Sequence, residues 1–115
     1  MCLFPKNYRL RKRYEFEDVK KNGAHIQNHL FIFNYAQNSN NYVTRLGITI
    51  TKKTGNAVVR NRIKRLVRET FRKNRHILTQ NYDLNVIAKR QVRDRSNKQC
   101  VDALLALFKR LSEGS

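Results

Sequence analysis

The sequence predicts one α+β domain in which helices cover a small sheet as a two-layer sandwich. Segments with strand-like composition or a period of two alternate along the chain with segments that have the helical period of about 3.6. The 115 residues are enough for one modest core, and no Pro-, Gly- or Ser-rich linker divides them. The predicted order of elements is helix, two or three strands, helix, strand, helix.

The first half of the chain is predicted to hold a short helix and then two or three strands. Tyr14–Val19 carries acidic residues near its front, which favours a helix, and Gly23 is well placed as the C-terminal cap. Leu30–Tyr35 is rich in aromatic and branched residues, which predicts a strand. Arg45–Thr51 alternates apolar with polar or small residues, so this strand should have one buried face. Tyr42–Thr44 would extend that strand or form a short separate one.

A long amphipathic helix dominates the second half of the chain. Asn56 is a suitable N-cap, and the helix is predicted to run to about Arg75. Its apolar residues fall on one helical face: Val59, Ile63, Leu66, Val67, Thr70 and Phe71. Asp83–Ala88 is a predicted strand, and Gln91–Gln99 is predicted to be a loop. A closing helix is marked by its apolar residues, which are Val101, Leu104, Leu105, Phe108 and Leu111. Residues 1–8 and 112–115 are predicted to be flexible.

The chain is strongly basic. Lys and Arg number 25 against 8 Asp and Glu, which gives a formal net charge of +17 and an isoelectric point near 10.7. Self-repulsion of this size destabilises a compact state unless a polyanion offsets it. A membrane partner is disfavoured, because a surface helix needs a free apolar face for lipid and the apolar stripes here are assigned to the core. Nucleic acid is the predicted partner.

The positive charge is concentrated around the long helix. Between Lys52 and Arg75 there are ten basic residues and one acidic residue, Glu69, which is a net charge of +9 in 24 residues. Solvated helix faces usually intersperse Glu with Lys, so a merely solvated basic face explains this run less well than phosphate binding does. Lys52 and Lys53 also precede the helix N-terminus, where backbone N–H groups favour anions.

Catalysis by side chains of this chain is not predicted. A two-metal nuclease needs several carboxylates at one place, and three of the eight acidic residues lie in one short predicted helix. His25 and His29 are four residues apart but fall in a stretch without a helical pattern, so no metal site is expected. Cys2 and Cys100 have neither metal nor disulfide spacing, and we interpret them as unpaired thiols of a cytoplasmic protein.

The run from Lys52 to Glu69, with Arg60-Asn61-Arg62 at its centre, closely resembles the signature of the bacterial ribonuclease P protein subunit. Further matches extend the resemblance over roughly residues 9 to 111: Arg9–Lys12, Phe16, Leu46–Ile48 and Val86–Arg90. The resemblance implies an RNA-binding protein cofactor for a large catalytic RNA, which removes the 5′ leader from precursor tRNA.

The resemblance also implies a fold and a set of partners. The fold would be α-β-β-β-α-β-α, with a mixed sheet of about four strands and a left-handed crossover around the basic helix, against the usual right-handed rule. The partners would be the catalytic RNA subunit and precursor tRNA, with no small-molecule substrate and no obligate protein partner. Magnesium ions would be held through the RNA, and the protein itself would bind no cofactor.

Two sets of site residues follow from the resemblance. The set expected to face the RNA subunit is Lys52, Lys53, Asn56, Arg60, Asn61, Arg62, Lys64, Arg65 and Arg68. The set expected to bind the single-stranded leader, in a cleft between the first helix and the sheet, is Phe16, Lys20, Ile32, Asn34 and Thr49. Family members often carry aromatic residues where Lys20 and Asn34 stand, so leader contacts should be more electrostatic and hydrogen-bonded here. For Phe16, a stacking surface and a core position both stay open.

The strand face that would line the cleft depends on the alternation of side chains. If Leu30, Ile32 and Asn34 share one face of their strand, Phe31 and Phe33 lie on the other face and pack into the core.

Two other functions are consistent with the composition. A ribosomal-protein-like or assembly factor, which binds structured RNA without a cleavage role, would also need an Arg-rich helix on a small α+β domain. The Arg60-Asn61-Arg62 frame favours ribonuclease P over that alternative. DNA binding through Asn56–Arg75 as a recognition helix is disfavoured, because no short helix precedes it at helix-turn-helix spacing.

Overall fold

The computed structural model of the chain describes residues 9–10, 12–37, 44–78 and 80–113. These residues form three α-helices and four β-strands in the order α-β-β-β-α-β-α, as predicted. The elements are α1 (Arg13–Asn22), β1 (Ala24–Gln27), β2 (Phe31–Gln37), β3 (Arg45–Thr49), α2 (Ala57–Asn74), β4 (Tyr82–Ala88) and α3 (Asn97–Glu113). Short 3-10 turns lie between them at Lys52–Thr54, Arg75–Ile77 and Arg90–Asp94.

The four strands form one mixed sheet in the order β1-β2-β4-β3. The pairs β1/β2 and β2/β4 are antiparallel, whereas β3 lies parallel to β4 at the edge, with Leu46 opposite Leu84 and Ile48 opposite Val86. The parallel pair is joined through α2, because two parallel neighbours need a crossover connection. The mixed four-stranded sheet confirms the predicted fold class, and the left hand of the crossover stays a prediction.

The core lies between one face of the sheet and the two helices α2 and α3. The apolar stripe predicted for α2 is confirmed, since Ile63, Val67 and Phe71 are fully buried. Phe33 of β2 meets Phe108 of α3 edge to face, with ring centroids 5.0 Å apart. These contacts use the apolar side of α2, so its basic side is left to face outward.

The alternation along β2 places its two phenylalanines in the core. Phe31 and Phe33 are fully buried, while Ile32 and Asn34 lie on the opposite face and are partly exposed. Leu30 does not share the face of Ile32 and Asn34, because it precedes β2 and is fully buried in the core. A residue in the turn before a strand is not bound by the alternation of that strand.

No pattern in the sequence predicts β1, which is the outer strand beside β2. Ala24 stands opposite Tyr35 and Gln27 opposite Ile32, yet three of the four β1 residues are exposed. Ile26 is the one β1 residue that is partly buried against the core, and a single apolar residue makes no alternating pattern. The residues considered for an additional strand, 42 and 43, lie outside the described part of the chain, and Thr44 precedes β3.

The loop predicted for Gln91–Gln99 is wrong. Arg90–Asp94 forms a 3-10 turn, and α3 already begins at Asn97. The Ser96 hydroxyl accepts the N–H of Gln99 at 3.1 Å, and the Gln99 side-chain oxygen accepts the N–H of Ser96 at 2.9 Å. This reciprocal capping box starts the helix earlier than its apolar residues indicate.

The buried face of α3 is rotated relative to the prediction. Val101 and Leu105 are only half-buried, whereas the small residues Cys100 and Ala103 are buried. The complete buried set is Cys100, Ala103, Leu104, Leu107, Phe108 and Leu111.

The helix continues to Glu113, and residues 1–8 and 114–115 lie outside the described residues, so flexible termini stay a prediction. Within the described ranges no helix is long and apolar enough to cross a membrane.

The helix α1 lies on the other face of the sheet, where an ion-pair network holds it. Arg45 donates to both carboxylate oxygens of Asp83, at 2.9 Å from Nε and 2.8 Å from Nη2, and its Nη1 donates to Glu15 of α1. The hydrogen bond to Asp83 is the main cause that raises the pKa of Arg45 above its ordinary value. Val19 of α1 is buried. The network fixes α1 near one end of the sheet.

Candidate nucleic-acid interface

The basic helix α2 begins at the cap that the sequence predicts. The Oδ1 atom of Asn56 accepts the N–H of Val59 at 3.0 Å. The preceding 3-10 turn buries Thr54 and leaves Lys52 and Lys53 exposed. Two ammonium groups therefore lie beside the N-terminus of α2, whose first N–H groups favour anions.

Asn56→Ala is expected to lower the free energy of unfolding by about 0.5–2 kcal/mol, because the N-cap hydrogen bond of α2 is lost. Asn56→Asp keeps an acceptor at the same place and should retain most of the stability. Urea denaturation of both variants measures the difference. Since the added carboxylate would repel phosphate, the Asp variant should still bind RNA less tightly. An Asp variant as unstable as the Ala variant would contradict the capping role.

The residues expected to face the RNA subunit form one continuous stretch along the 3-10 turn and α2. The exposed members are Lys52, Lys53, Asn56, Asn61, Arg65 and Arg68, and the half-buried members are Arg60, Arg62 and Lys64. The apolar stripe of the same helix is used by the core, so the exposed members face solvent together. Arg60 and Arg62 are two residues apart and lie on opposite flanks of α2, so the set covers the outer side and both flanks of the helix. We call these nine residues the basic surface.

Arg62 has a partner inside the protein that the sequence did not reveal. Its Nη1 donates to Oδ1 of Asn97 at 2.6 Å and lies 3.5 Å from the carbonyl oxygen of Arg95. These contacts tie α2 to the start of α3. Because the partners are 33 and 35 residues away along the chain, no local pattern could indicate them. Arg62 therefore has a structural contact in addition to its predicted contact with RNA.

The one acidic residue of α2 is neutralised within the helix. Arg72 donates to Glu69 at 2.9 Å, and this hydrogen bond lowers the pKa of the Glu69 carboxyl. No acidic residue stands between positions 52 and 68. The basic surface is therefore uninterrupted by negative charge along its own element.

The residues expected to bind the leader from the sheet share the face that carries α1. Asn34 stands opposite Asn85, and Ile32 stands opposite Ile87. Thr49 of the edge strand joins them, because its hydroxyl donates to Oδ1 of Asn85 at 3.0 Å. We call these five residues the cleft face. Asn85 and Ile87 were not predicted as site residues, although the alternation of β4 against its buried neighbours could have indicated them.

The two remaining residues expected at the cleft lie on α1. Lys20 is exposed, and Phe16 is half-buried and stands outside the main core cluster. The edge of the Phe16 ring lies against the backbone of β3 at Gly47. Phe16 therefore packs on the edge strand β3, on the sheet face that carries α1, and is not a member of the main core. Its contact with the leader stays a prediction.

A cavity of about 290 Å³ opens beside Phe16, at the outer edge of β3. Its lining residues are Arg9, Leu10, Phe16, Leu46, Gly47, Ile48, Lys64 and Arg68. Phe16 was expected to contact the leader, whereas Lys64 and Arg68 were expected to contact the RNA subunit. The structure brings members of the two predicted sets to one place.

The titratable side chains do not converge on a metal-binding arrangement in the described part of the chain, where no three His, Cys, Asp or Glu residues come together. His25 lies in the exposed strand β1, and His29 lies in the turn after it. Cys100 is a free and fully buried thiol whose pKa is raised by burial. Cys2 lies outside the described residues.

The basic helix α2 packs by its apolar side against the core face of the sheet and turns its charged side outward. Together with the mixed four-stranded sheet, this arrangement defines a small RNA-binding domain of the α+β class. Comparison with known proteins gives the particular family. The family model "Ribonuclease P" matches residues 4–112, and the chain belongs to this family of ribonuclease P proteins.

Ribonuclease P protein components from other bacteria align with nearly the whole chain. A ribonuclease P protein component from Desulfatibacillum aliphaticivorans is 46% identical over 97% of this chain and 94% of its own length. Another from Desulforapulum autotrophicum is 44% identical over 94% of this chain and 92% of its own length.

Solved structures show the same fold. The Staphylococcus aureus RNase P protein superposes with a TM-score of 0.84 at 34% identity, covering 89% of this chain and 93% of that one. The RNase P protein from Thermotoga maritima superposes with a TM-score of 0.79 at 34% identity, covering 89% of this chain and 96% of that one.

Proposed function

We propose that this chain is the protein cofactor of a ribonuclease P whose catalytic RNA removes the 5′ leader from precursor tRNA. Its relatives carry the name ribonuclease P protein component. The observation that carries the proposal is the uninterrupted basic surface, held on one helix whose apolar stripe is used by the core. Dense arginine on a fixed helix suits bidentate contacts to phosphates of a folded RNA.

In this proposal the RNA performs the chemistry. Most acidic side chains of the described residues stand in separate ion pairs, and no three His, Cys, Asp or Glu residues come together there as a two-metal site would need. The paired acids are Glu15, Glu17, Glu69, Asp83, Asp94 and Asp102. The role of the protein is therefore electrostatic and positional, and it works with the RNA subunit and precursor tRNA alone in the cytoplasm, where precursor tRNA is made.

The electrostatic part of the role follows from the charge of the basic surface. Phosphates that meet near the reaction centre of the RNA repel one another, and cations of the protein relieve that repulsion. Divalent ions held through the RNA then bind at lower magnesium concentration, and the ions supply charge stabilisation for the displacement. The protein itself binds no cofactor in this proposal.

The positional part of the role belongs to the cleft face. Asn34 and Thr49 present an amide and a hydroxyl group, the Thr49 hydroxyl is oriented by the buried Asn85, and Phe16 presents an aromatic ring. Hydrogen bonds and stacking are the contacts that hold single-stranded RNA. A bound leader would give precursor tRNA more contacts than mature tRNA has, and the complex would discriminate between them.

The proposal is tested by the affinity of the protein for three nucleic acids at matched salt: a bacterial ribonuclease P RNA, a ribosomal RNA fragment of similar length, and duplex DNA. We expect the tightest binding to the ribonuclease P RNA. Equal affinity for both folded RNAs would favour a general assembly factor. Preference for the duplex DNA would overturn the proposal. We do not expect that preference, because α2 follows a strand and a 3-10 turn and not the first helix of a helix-turn-helix.

A further inference from the structure

The cavity at the outer edge of β3 is lined by four parts of the chain, of which β3 itself supplies Leu46, Gly47 and Ile48. Phe16 comes from α1, Lys64 and Arg68 come from α2, and Arg9 and Leu10 come from the segment that pairs with β3. The N–H of Leu10 donates to the carbonyl oxygen of Leu46 at 2.9 Å, which fixes this segment against the strand. The cavity volume of about 290 Å³ is near the lower end of ligand-binding pockets, which suits one nucleotide unit.

The floor of the cavity depends on the absence of a side chain at Gly47. A Cβ atom built there would lie 2.8 Å from Cζ of Phe16, closer still to Cε1, and 3.2 Å from Cβ of Leu10. Gly47 has no positive φ, so its backbone is accessible to any residue. The glycine is therefore needed for the space under the Phe16 ring and not for its backbone conformation.

The charge of the cavity is positive. Arg9, Lys64 and Arg68 line it, and none of its eight lining residues is acidic. The Nε atom of Arg9 is buried and has no hydrogen-bond partner among the described residues. A buried donor without a partner carries a desolvation penalty that an anionic acceptor in the cavity would remove. An aromatic ring beside cations matches a nucleobase joined to phosphate.

We propose that Gly47 is a positioning residue: it lets the Phe16 ring lie against β3 and so preserves a binding site for one unpaired nucleotide. We call this site the nucleotide seat. The base contacts the ring of Phe16, and the phosphate is bound by Lys64, Arg68 and Arg9. The inference rests on the proposed function, since it requires an RNA partner. The nucleotide belongs either to the leader of precursor tRNA or to an unpaired position of the RNA subunit, and the chemistry of recognition is the same.

Gly47→Ala tests the proposal in the reconstituted holoenzyme, because the added methyl group must lift the Phe16 ring. If the nucleotide belongs to the leader, affinity for precursor tRNA should fall by roughly 5- to 100-fold, while affinity for a leaderless tRNA stays unchanged. If it belongs to the RNA subunit, the same loss should appear in the affinity of the protein for that RNA without tRNA. A variant that folds and shows neither loss overturns the proposal.

A double-mutant cycle separates positioning of the ring from general damage to the fold. Phe16→Ala should cause a similar loss, and Gly47→Ala should add almost nothing in the Phe16→Ala background, because there is no ring left to lift. Phe16→Leu combined with Gly47→Ala should unfold at nearly the wild-type temperature, since the smaller side chain leaves room for the methyl group. Additive losses in affinity would contradict the positioning role.

Arg9→Met provides an independent variant that does not alter the packing under the ring. It should weaken binding of the same RNA and reduce the salt dependence of binding by about 0.7 in the logarithmic slope, as for one phosphate contact. An unchanged slope would remove Arg9 from the seat and overturn the phosphate part of the proposal. The seat would be refuted if the wild-type protein promotes cleavage and the Gly47 and Arg9 variants bind RNA and promote cleavage equally well. The proposed function would then still stand.

Discussion

Replacing Arg45 with methionine is expected to lower the free energy of unfolding by about 2–4 kcal/mol, somewhat below the range for a fully buried ion pair. The guanidinium bridges Glu15 of α1 and Asp83 of β4, and the three side chains are between 13% and 22% exposed. Without it, two carboxylates lose their shared partner on a mostly buried surface, where water compensates poorly. Urea denaturation of wild-type and variant protein measures the loss.

Arg13→Met is the matched control for that experiment. Arg13 pairs with Glu17 at 3.0 Å within α1, but the two side chains are 92% and 63% exposed. An exposed pair of this kind contributes about 0.3–0.5 kcal/mol. If Arg45→Met were no more destabilising than Arg13→Met, the network would not be what fixes α1 to the sheet.

The raised pKa of Arg45 determines how the stability difference between wild type and Arg45→Met depends on pH. A group whose pKa is higher in the folded state contributes its stability in full below its unfolded pKa, and loses it only as pH rises through the folded value. Arginine stays protonated in the unfolded chain far above neutral pH, so the difference between wild type and Arg45→Met should be constant from about pH 7 to about pH 9. A difference that declined over this interval would contradict a permanently charged bridge.

Replacing Lys53 and Arg65 with alanine is expected to weaken binding to the RNA subunit by at least about tenfold. Both side chains are exposed on the basic surface and neither lines the cavity beside Phe16, so folding and the nucleotide seat should be unaffected. The slope of log affinity against log salt should become shallower by about 0.7–0.9 for each lost phosphate contact. Filter binding at several salt concentrations measures both quantities.

A charge-matched control separates this effect from the general positive charge of the protein. Arg13→Ala with Lys109→Ala also removes two exposed cations, one from α1 and one from α3. The control should bind RNA nearly as tightly as wild type, with a nearly unchanged slope. Equal losses in the two double variants would mean that RNA responds to net charge alone and that α2 is not the interface.

The long helix and its charge could be predicted because their signals are local. The helical period, the Asn56 cap and the run of arginines all lie within one stretch of about 20 residues, and α2 begins and ends within a residue of the prediction. The opposite case is β1, whose mostly exposed residues form an edge strand without alternation. The buried face of α3 was predicted wrongly because Cys100 and Ala103 are small and were not counted as core residues. Small residues allow a helix to pack closely against a sheet.

The parts of the site that escaped prediction depend on contacts between distant residues. The sequence offered Phe16 as either a stacking surface or a core residue, and only the position of its ring on Gly47 excludes it from the main core. The same holds for Asn85, which the sheet register places beside Asn34. Residue types indicated which chemistry to expect, whereas strand pairing determines which side chains meet.

The central claim is that this protein assists an RNA catalyst in cutting precursor tRNA. Single-turnover cleavage of precursor tRNA by a bacterial ribonuclease P RNA, at low magnesium with and without this protein, tests it most directly. We expect slow cleavage by the RNA alone, rapid cleavage at the correct 5′ site when the protein is added, and none by the protein alone. Tight binding to the RNA without any change in rate would contradict the claim.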